Sequence, residues 1–179
     1  MLYLFLAEGF EELEAIAPLD LLRRANVDVA TVGLGGRTVT GSHGIAVTCD
    51  MEASEWTPGD AFEGVILPGG PGHVHLKESP AVLEAIQLAA ARGKLLAAIC
   101  AAPSILGEMG LLQGRKAACF PGYEEKLLGA EVVFDPAVRD GNAVTSRGAG
   151  TAIDFGLALV AYMRSPKEAE RIEKVIQCP

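Results

Sequence analysis

Cys100 stands where an apolar run, Lys94 to Ile99, meets a run of small helix formers, in the order Leu-Leu-Ala-Ala-Ile-Cys-Ala-Ala-Pro-Ser-Ile-Leu. A strand that turns sharply into a helix forces its turn residue into a strained conformation. Such a turn is tolerated where the residues two before and two after are small. Ala98 and Ala102 meet that condition, so the segment reads as a nucleophile elbow. The elbow would project the thiol beyond the end of a strand, facing the free N–H groups of the following helix. A thiol in that position is expected to be acidified, because the positive end of a helix favours thiolate. The simpler alternative is a cysteine packed in the core as a small apolar side chain.

Two other segments offer partners for such a thiol. Ala-Glu-Gly-Phe-Glu-Glu-Leu-Glu, after the first apolar run, sets Glu11 and Glu14 three residues apart on one helical face. Acidic residues favour the dipole at a helix N-terminus without any further role, which is the plainer account of Glu11 and Glu12. Glu14, one turn deeper between Leu13 and Ala15, can be partly buried and protonated, and so can exchange a proton beside a thiolate. Pro68-Gly69-Gly70-Pro71-Gly72 lets the backbone approach a ligand closely. The N–H groups of Gly70 and Ala101 would then form an oxyanion hole. The glycine spacing matches neither the phosphate-binding loop nor the dinucleotide fingerprint.

The three histidines, His43, His73 and His75, all precede the cysteine. His43 reads as a turn residue, and His73 with His75 as surface-loop residues without the further ligands a metal site needs. No metal and no cofactor are expected. Without an obvious histidine base, a carboxyl group becomes the preferred proton carrier.

The elements that must position these groups alternate. Leu2 to Leu6, Val27 to Gly33, Val65 to Leu67, Lys94 to Ile99, Lys116 to Phe120 and Val132 to Phe134 read as strands. Thr38 to Cys49 reads as a small β excursion, and Val138 to Ser146 as a hairpin about Asp140-Gly141. Helical spacing marks Glu11 to Ala25, bent at Pro18, then Pro80 to Ala91, Tyr123 to Leu128, Thr151 to Met163 and Pro166 to Ile176. This order implies an α/β fold with a mostly parallel sheet covered on both faces. The 179 residues are expected to form a single domain. A net charge of −8 without a basic cluster argues against nucleic acid and anionic membranes as partners. The short apolar start, followed at once by glutamates, is not a targeting or membrane-spanning segment, so a cytoplasmic protein is expected. Cys49, Cys100, Cys119 and Cys178 are expected as thiols.

Taken in order, Ala-Glu-Gly-Phe-Glu-Glu-Leu-Glu, Val-Ile-Leu-Pro-Gly-Gly, Ala-Ala-Ile-Cys-Ala-Ala-Pro and Thr-Ser-Arg-Gly-Ala-Gly-Thr resemble the ThiJ/PfpI superfamily. The likeness is to its YajL-type branch, related to the parkinsonism-associated protein deglycase, and runs from Leu2 to about Met163. It implies a flavodoxin-like three-layer sandwich, a homodimer and a readily oxidised cysteine. On matching positions it implies Cys100 as nucleophile, Glu14 as the carboxyl group in contact with it, and Gly70 with Ala101 as oxyanion donors. Glu11 would support them, and Arg24 would lie near an anion pocket on the dimer side. The implied activity is that of a cofactor-independent deglycase or glyoxalase acting on methylglyoxal and glyoxal or their early protein adducts. A redox sensor or holdase chaperone is the main alternative, and a thiazole monophosphate role a lesser one. Ala101 replaces the histidine that follows the cysteine in the peptidase branch, which argues against a peptidase. Phe120 stands where close deglycase relatives often carry a histidine, leaving Glu14 as the base.

Overall fold

The computed structural model describes residues 1–178. In chain order its strands and helices are β1 (Leu2–Leu6), α1 (Glu12–Arg24), β2 (Val29–Gly33), β3 (Thr38–Thr40), β4 (Ala46–Thr48), β5 (Met51–Glu52) and β6 (Gly64–Leu67). Then follow α2 (His73–Glu78), α3 (Pro80–Ala91), β7 (Leu95–Ile99), α4 (Pro103–Glu108), β8 (Lys116–Ala117) and β9 (Glu131–Val132). The chain closes with β10 (Ala137–Asp140), β11 (Ala143–Ser146), α5 (Ala152–Met163) and α6 (Pro166–Val175).

Seven strands form one sheet in the order β10-β11-β7-β6-β1-β2-β5. Its pairings are parallel except that β10 runs antiparallel to β11. The central strands are apolar at every position because both faces are covered, and alternate side chains go to opposite cores. Leu2, Leu4 and Leu6 of β1 join Leu19 and Leu22 of α1, Phe155 and Leu159 of α5 and Ile172 of α6. Tyr3 and Phe5 point the other way, to Trp56, Phe62, Val82 and Ile86 of α3, and Ile105 and Leu106 of α4. β7 divides likewise, with Leu95, Ala97 and Ile99 in the first core and Leu96 and Ala98 in the second. Helix α1 continues through Pro18, which packs against α5 where Gly156 leaves room: a Cβ there would stand 3.0 Å from the Pro18 Cα.

Several boundaries depart from the sequence reading. Lys116 to Phe120 is a strand only over its first two residues, and the strand expected at Val132 to Phe134 lies instead at Glu131–Val132, a two-residue partner of it in a separate small sheet. Tyr123 to Leu128 tightens to a 3₁₀ turn over Glu124–Lys126. His73 and His75 lie on α2, not in a loop. The edge strand β5 has no apolar alternation, so no periodic signal marks it. No helix among the described residues is long and apolar enough to cross a membrane.

Candidate active site

The parallel strands β1, β6, β7 and β11 end together, and the loops leaving their carboxyl ends enclose one place, as open α/β sheets require. Cys100 leaves β7 with φ of 66°, in the left-handed region that a non-glycine residue occupies only under constraint. Two hydrogen bonds hold it there. Its N–H donates to the Ser146 carbonyl at 3.0 Å, and its carbonyl accepts from the Phe120 N–H at 2.8 Å. Ala98 and Ala102, the small flanking residues, are fully buried.

The side chain meets three groups. Glu14 forms a hydrogen bond with the thiol, and the N–H groups of Gly70 and Ala101 point to the sulfur. Glu14 is 1% exposed. Its Oε2 accepts from the Gly69 N–H at 2.8 Å, and the Ala149 N–H donates to it as well. Gly69 is wedged between the two: a Cβ there would stand 2.6 Å from the Cys100 Cβ, 2.8 Å from Glu14 Oε2 and 3.0 Å from Sγ. Gly70 has φ of +81°, and a Cβ on it would meet the Glu11 N–H at 2.6 Å, so glycine is required for the loop to close on α1. Glu11 caps α1, its Oε2 accepting from the Glu14 N–H at 2.8 Å. It therefore fixes the turn that carries Glu14.

Burial pushes the Glu14 carboxyl group up to about 7, against the Cys100 and Gly69 hydrogen bonds that favour its charge. Burial, reinforced by the Glu14 charge, pushes the Cys100 thiol up to about 12. The acidified thiol expected from the elbow is thus corrected. The Gly70 and Ala101 N–H groups do pull toward thiolate, but α4 starts only at Pro103 and is six residues long, and burial with an adjacent carboxylate outweighs them. Above about pH 7 the pair holds one proton and one negative charge, exchanged along one hydrogen bond.

The model of the DJ-1/PfpI family matches residues 1–162. This chain belongs to the DJ-1/PfpI family. The Parkinson disease protein 7 homolog of Danio rerio is 35% identical over 173 residues, covering 94% of this chain and 92% of that protein. A protein named a deglycase from Pyrococcus abyssi is 35% identical over 162 residues, covering 88% and 92%. The chain spans about half of a plant relative, protein DJ-1 homolog A of Arabidopsis thaliana: at 36% identity the match covers 96% of this chain and 45% of that protein. Among solved structures, a DJ-1 superfamily protein from Salmonella typhimurium superposes with a TM-score of 0.92 at 36% identity, over 99% of this chain and 98% of that one. Oxidized Toxoplasma gondii DJ-1 gives 0.92 at 30%, over 98% and 97%. The sandwich is the flavodoxin-like fold of this family.

Arg24 is not brought to the cysteine. It ends α1, about 15 Å along the helix from Glu14, with its Nε donating to Asp20 Oδ2 at 2.7 Å. Phe120 flanks the site, 46% exposed, with its N–H anchoring the Cys100 carbonyl.

Two contacts escaped the sequence reading. Glu12 is buried, and its carboxylate accepts from the His43 N–H at 2.7 Å and from the His43 ring Nδ1 at 2.9 Å, clamping the β3–β4 turn onto the start of α1. The His73 ring Nδ1 donates to the Gly70 carbonyl at 2.9 Å, steadying the glycine loop from α2. Only the glycines flanking His43 hinted at the first, and nothing in the sequence connects His73 to its own loop. Glu11, Glu12 and His43 offer ligand atoms within 4.8 Å of one another. Glu12 already accepts two N–H groups there, and the positive end of α1 disfavours a cation.

Proposed function

We propose that this chain is a single-domain, cysteine-dependent, cofactor-independent deglycase or glyoxalase, acting on methylglyoxal and glyoxal or their early protein adducts. The observation that carries this reading is the convergence on one sulfur of a proton-exchanging carboxyl group and two N–H donors. The relative named a deglycase supports it.

The Cys100 sulfur adds to the aldehyde carbon of methylglyoxal as its proton passes to the Glu14 carboxylate and from there to the carbonyl oxygen, giving a hemithioacetal. Glu14, now a carboxylate, takes the hydrogen from that carbon, and the resulting enediol is reprotonated at the neighbouring carbon. One carbon is oxidised and the other reduced, so no external oxidant is needed. Gly70 and Ala101 N–H groups stabilise the oxygen charge. Water then hydrolyses the thioester, releasing lactate and restoring the thiol; glyoxal gives glycolate. A carboxyl group pushed up to about 7 is matched to both halves of this exchange near neutral pH. The deciding experiment compares lactate formation from methylglyoxal by the wild type and Cys100→Ser. Production falls to background in the variant, and equal production by both defeats the mechanism.

The same N–H pair and carboxyl proton suit the oxygens of a sulfinate, which favours a redox-sensing role as the second reading. Peroxide titration followed by mass spectrometry tests it: Cys100 oxidises first, and earlier oxidation of Cys49 or Cys119 removes the assignment. We also propose a homodimer. Leu13, Ile16 and Ile153 expose apolar side chains on α1 and α5, beside a groove of about 330 Å³ that includes Arg24. Light scattering on the wild type and Ile16→Asp checks this, with the variant shifting to monomer.

A further inference from the structure

Arg147 directly follows β11, and among the described residues no carboxylate pairs with it. Its Nε is buried without a hydrogen-bond partner. The guanidinium lies 5.8 Å from the centre of the Phe134 ring. Cys119 also feels it: burial pushes that thiol up to about 11, the Glu124 charge adds to the shift, and Arg147 opposes it. Glu124 itself accepts from the Gly122 N–H at 2.7 Å. An unsatisfied cationic donor inside a fold costs stability and calls for a partner.

Arg147 lines a cavity of about 300 Å³ with Phe120, Pro121 and the segment from Gly148 to Thr151. No acidic residue lines it. This cavity adjoins the cysteine site through shared walls. A Cβ on Gly148 would stand 3.8 Å from Glu14 Oε1 and 3.3 Å from the Phe120 ring, and the Ala149 N–H donates to Glu14. Ser146, the residue before Arg147, accepts the Cys100 N–H. The Thr151 hydroxyl is already engaged with Gly148 and Ser146. A guanidinium with no carboxylate partner, and no second cation lining the cavity, suits a monoanionic carboxylate.

We propose that Arg147 forms an anion subsite beside Cys100, which takes the carboxylate of a small carbonyl compound and turns its carbonyl carbon toward the sulfur. This rests on Cys100 as the nucleophile. The test uses two alkylating reagents of nearly equal size, iodoacetate and iodoacetamide, on the full chain, with Cys100 labelling read by mass spectrometry. The ratio of the two rates removes the intrinsic reactivity of the thiol. Arg147→Gln lowers the iodoacetate-to-iodoacetamide ratio about fivefold and Arg147→Lys largely preserves it, the size expected of a partly screened ion pair. A ratio unchanged in Arg147→Gln overturns the subsite, as does equal loss in both variants. If Arg147→Gln does not fold, the wild type decides: propionate slows iodoacetamide labelling and propionamide does not, whereas equal effects overturn the proposal. Failure of both reagents to label Cys100 in the wild type is a different result, and removes the nucleophile reading itself.

Discussion

Glu12 and Glu14 sit two residues apart in the first turn of one helix, both almost wholly buried, yet they titrate in opposite directions. Burial pushes both carboxyl groups up. At Glu12 that effect is outweighed by the His43 ring and by N–H groups including those of His43 and Ile45, which hold it down at about 2. Glu14 has the Gly69 and Ala149 N–H groups and a thiol, with the Glu11 charge nearby, and rises to about 7. What separates them is the balance between burial and donors: at Glu12 the His43 ring and the surrounding N–H groups outweigh burial, whereas at Glu14 burial outweighs the thiol and the N–H groups that favour its charge. The first pair fixes a turn in place. The second leaves a proton mobile.

Exchanging the mobile proton for a fixed amide tests this contrast hardest. Glu14→Gln lowers lactate formation about 10²–10³-fold, the usual worth of a positioned general acid–base group. The same variant gains stability above neutral pH. A carboxyl group whose folded pKa is raised from 4.5 to about 7 costs stability progressively as pH rises between those values. Urea denaturation at pH 8 therefore shows Glu14→Gln more stable than wild type by on the order of 1–3 kcal/mol, with the difference gone at pH 4. A variant equally stable at both pH values would mean that Glu14 is not held protonated.

Gly69→Ala forces a methyl group between Glu14 and Cys100. Turnover falls roughly 10–100-fold as the geometry is displaced, and calorimetry shows a loss of about 1–3 kcal/mol. If kinetics are unchanged, the contact with Glu14 does not matter to the chemistry. Glu12→Gln, by contrast, acts on stability. It removes a charge that several donors share and costs about 1–3 kcal/mol at pH 7, with a smaller effect on kcat than Glu14→Gln. A larger kcat loss than at Glu14 would reverse the division of labour.

The smallest effect is the pH dependence of the clamp. Glu12, lowered from 4.5 to about 2, contributes stability that is complete above 4.5 and lost as pH falls toward 2. His43 is raised from 6.5 by its hydrogen bond to Glu12, so its contribution is complete below 6.5 and lost as pH rises through the raised value. Hydrogen exchange at His43 and Ile45, corrected for intrinsic rates, is slowest between about pH 4.5 and 6.5 and faster on either side. In His43→Asn the loss of protection on the alkaline side disappears.

The parallel sheet was legible because strands buried on both faces need unbroken apolar runs, and β1, β6 and β7 supply them. Short pairings such as β8 with β9 were misjudged, since two residues carry no period. At the site, Cys100 was legible from the small residues around it, and Glu14 from its depth in α1. The thiol's acidity was misjudged because a neighbouring charge and burial are properties of the assembled site, not of the elbow. His43 lies 31 residues from the glutamate it pairs with, and Arg147 stands in the Thr-Ser-Arg-Gly-Ala-Gly-Thr motif with nothing in the sequence to mark it as unpaired.

The sequence by itself determined which backbone positions had to be small or glycine, and thereby where a cysteine would stand at the turn that ends a strand. Local sterics act between near neighbours, so that information travels within a few residues. Only the tertiary structure decided which charges face one another. Strands β1, β6, β7 and β11 bring together loops distant in the chain, and the balance of burial against hydrogen-bond donors that each carboxyl group meets sets whether it holds its proton or gives it up.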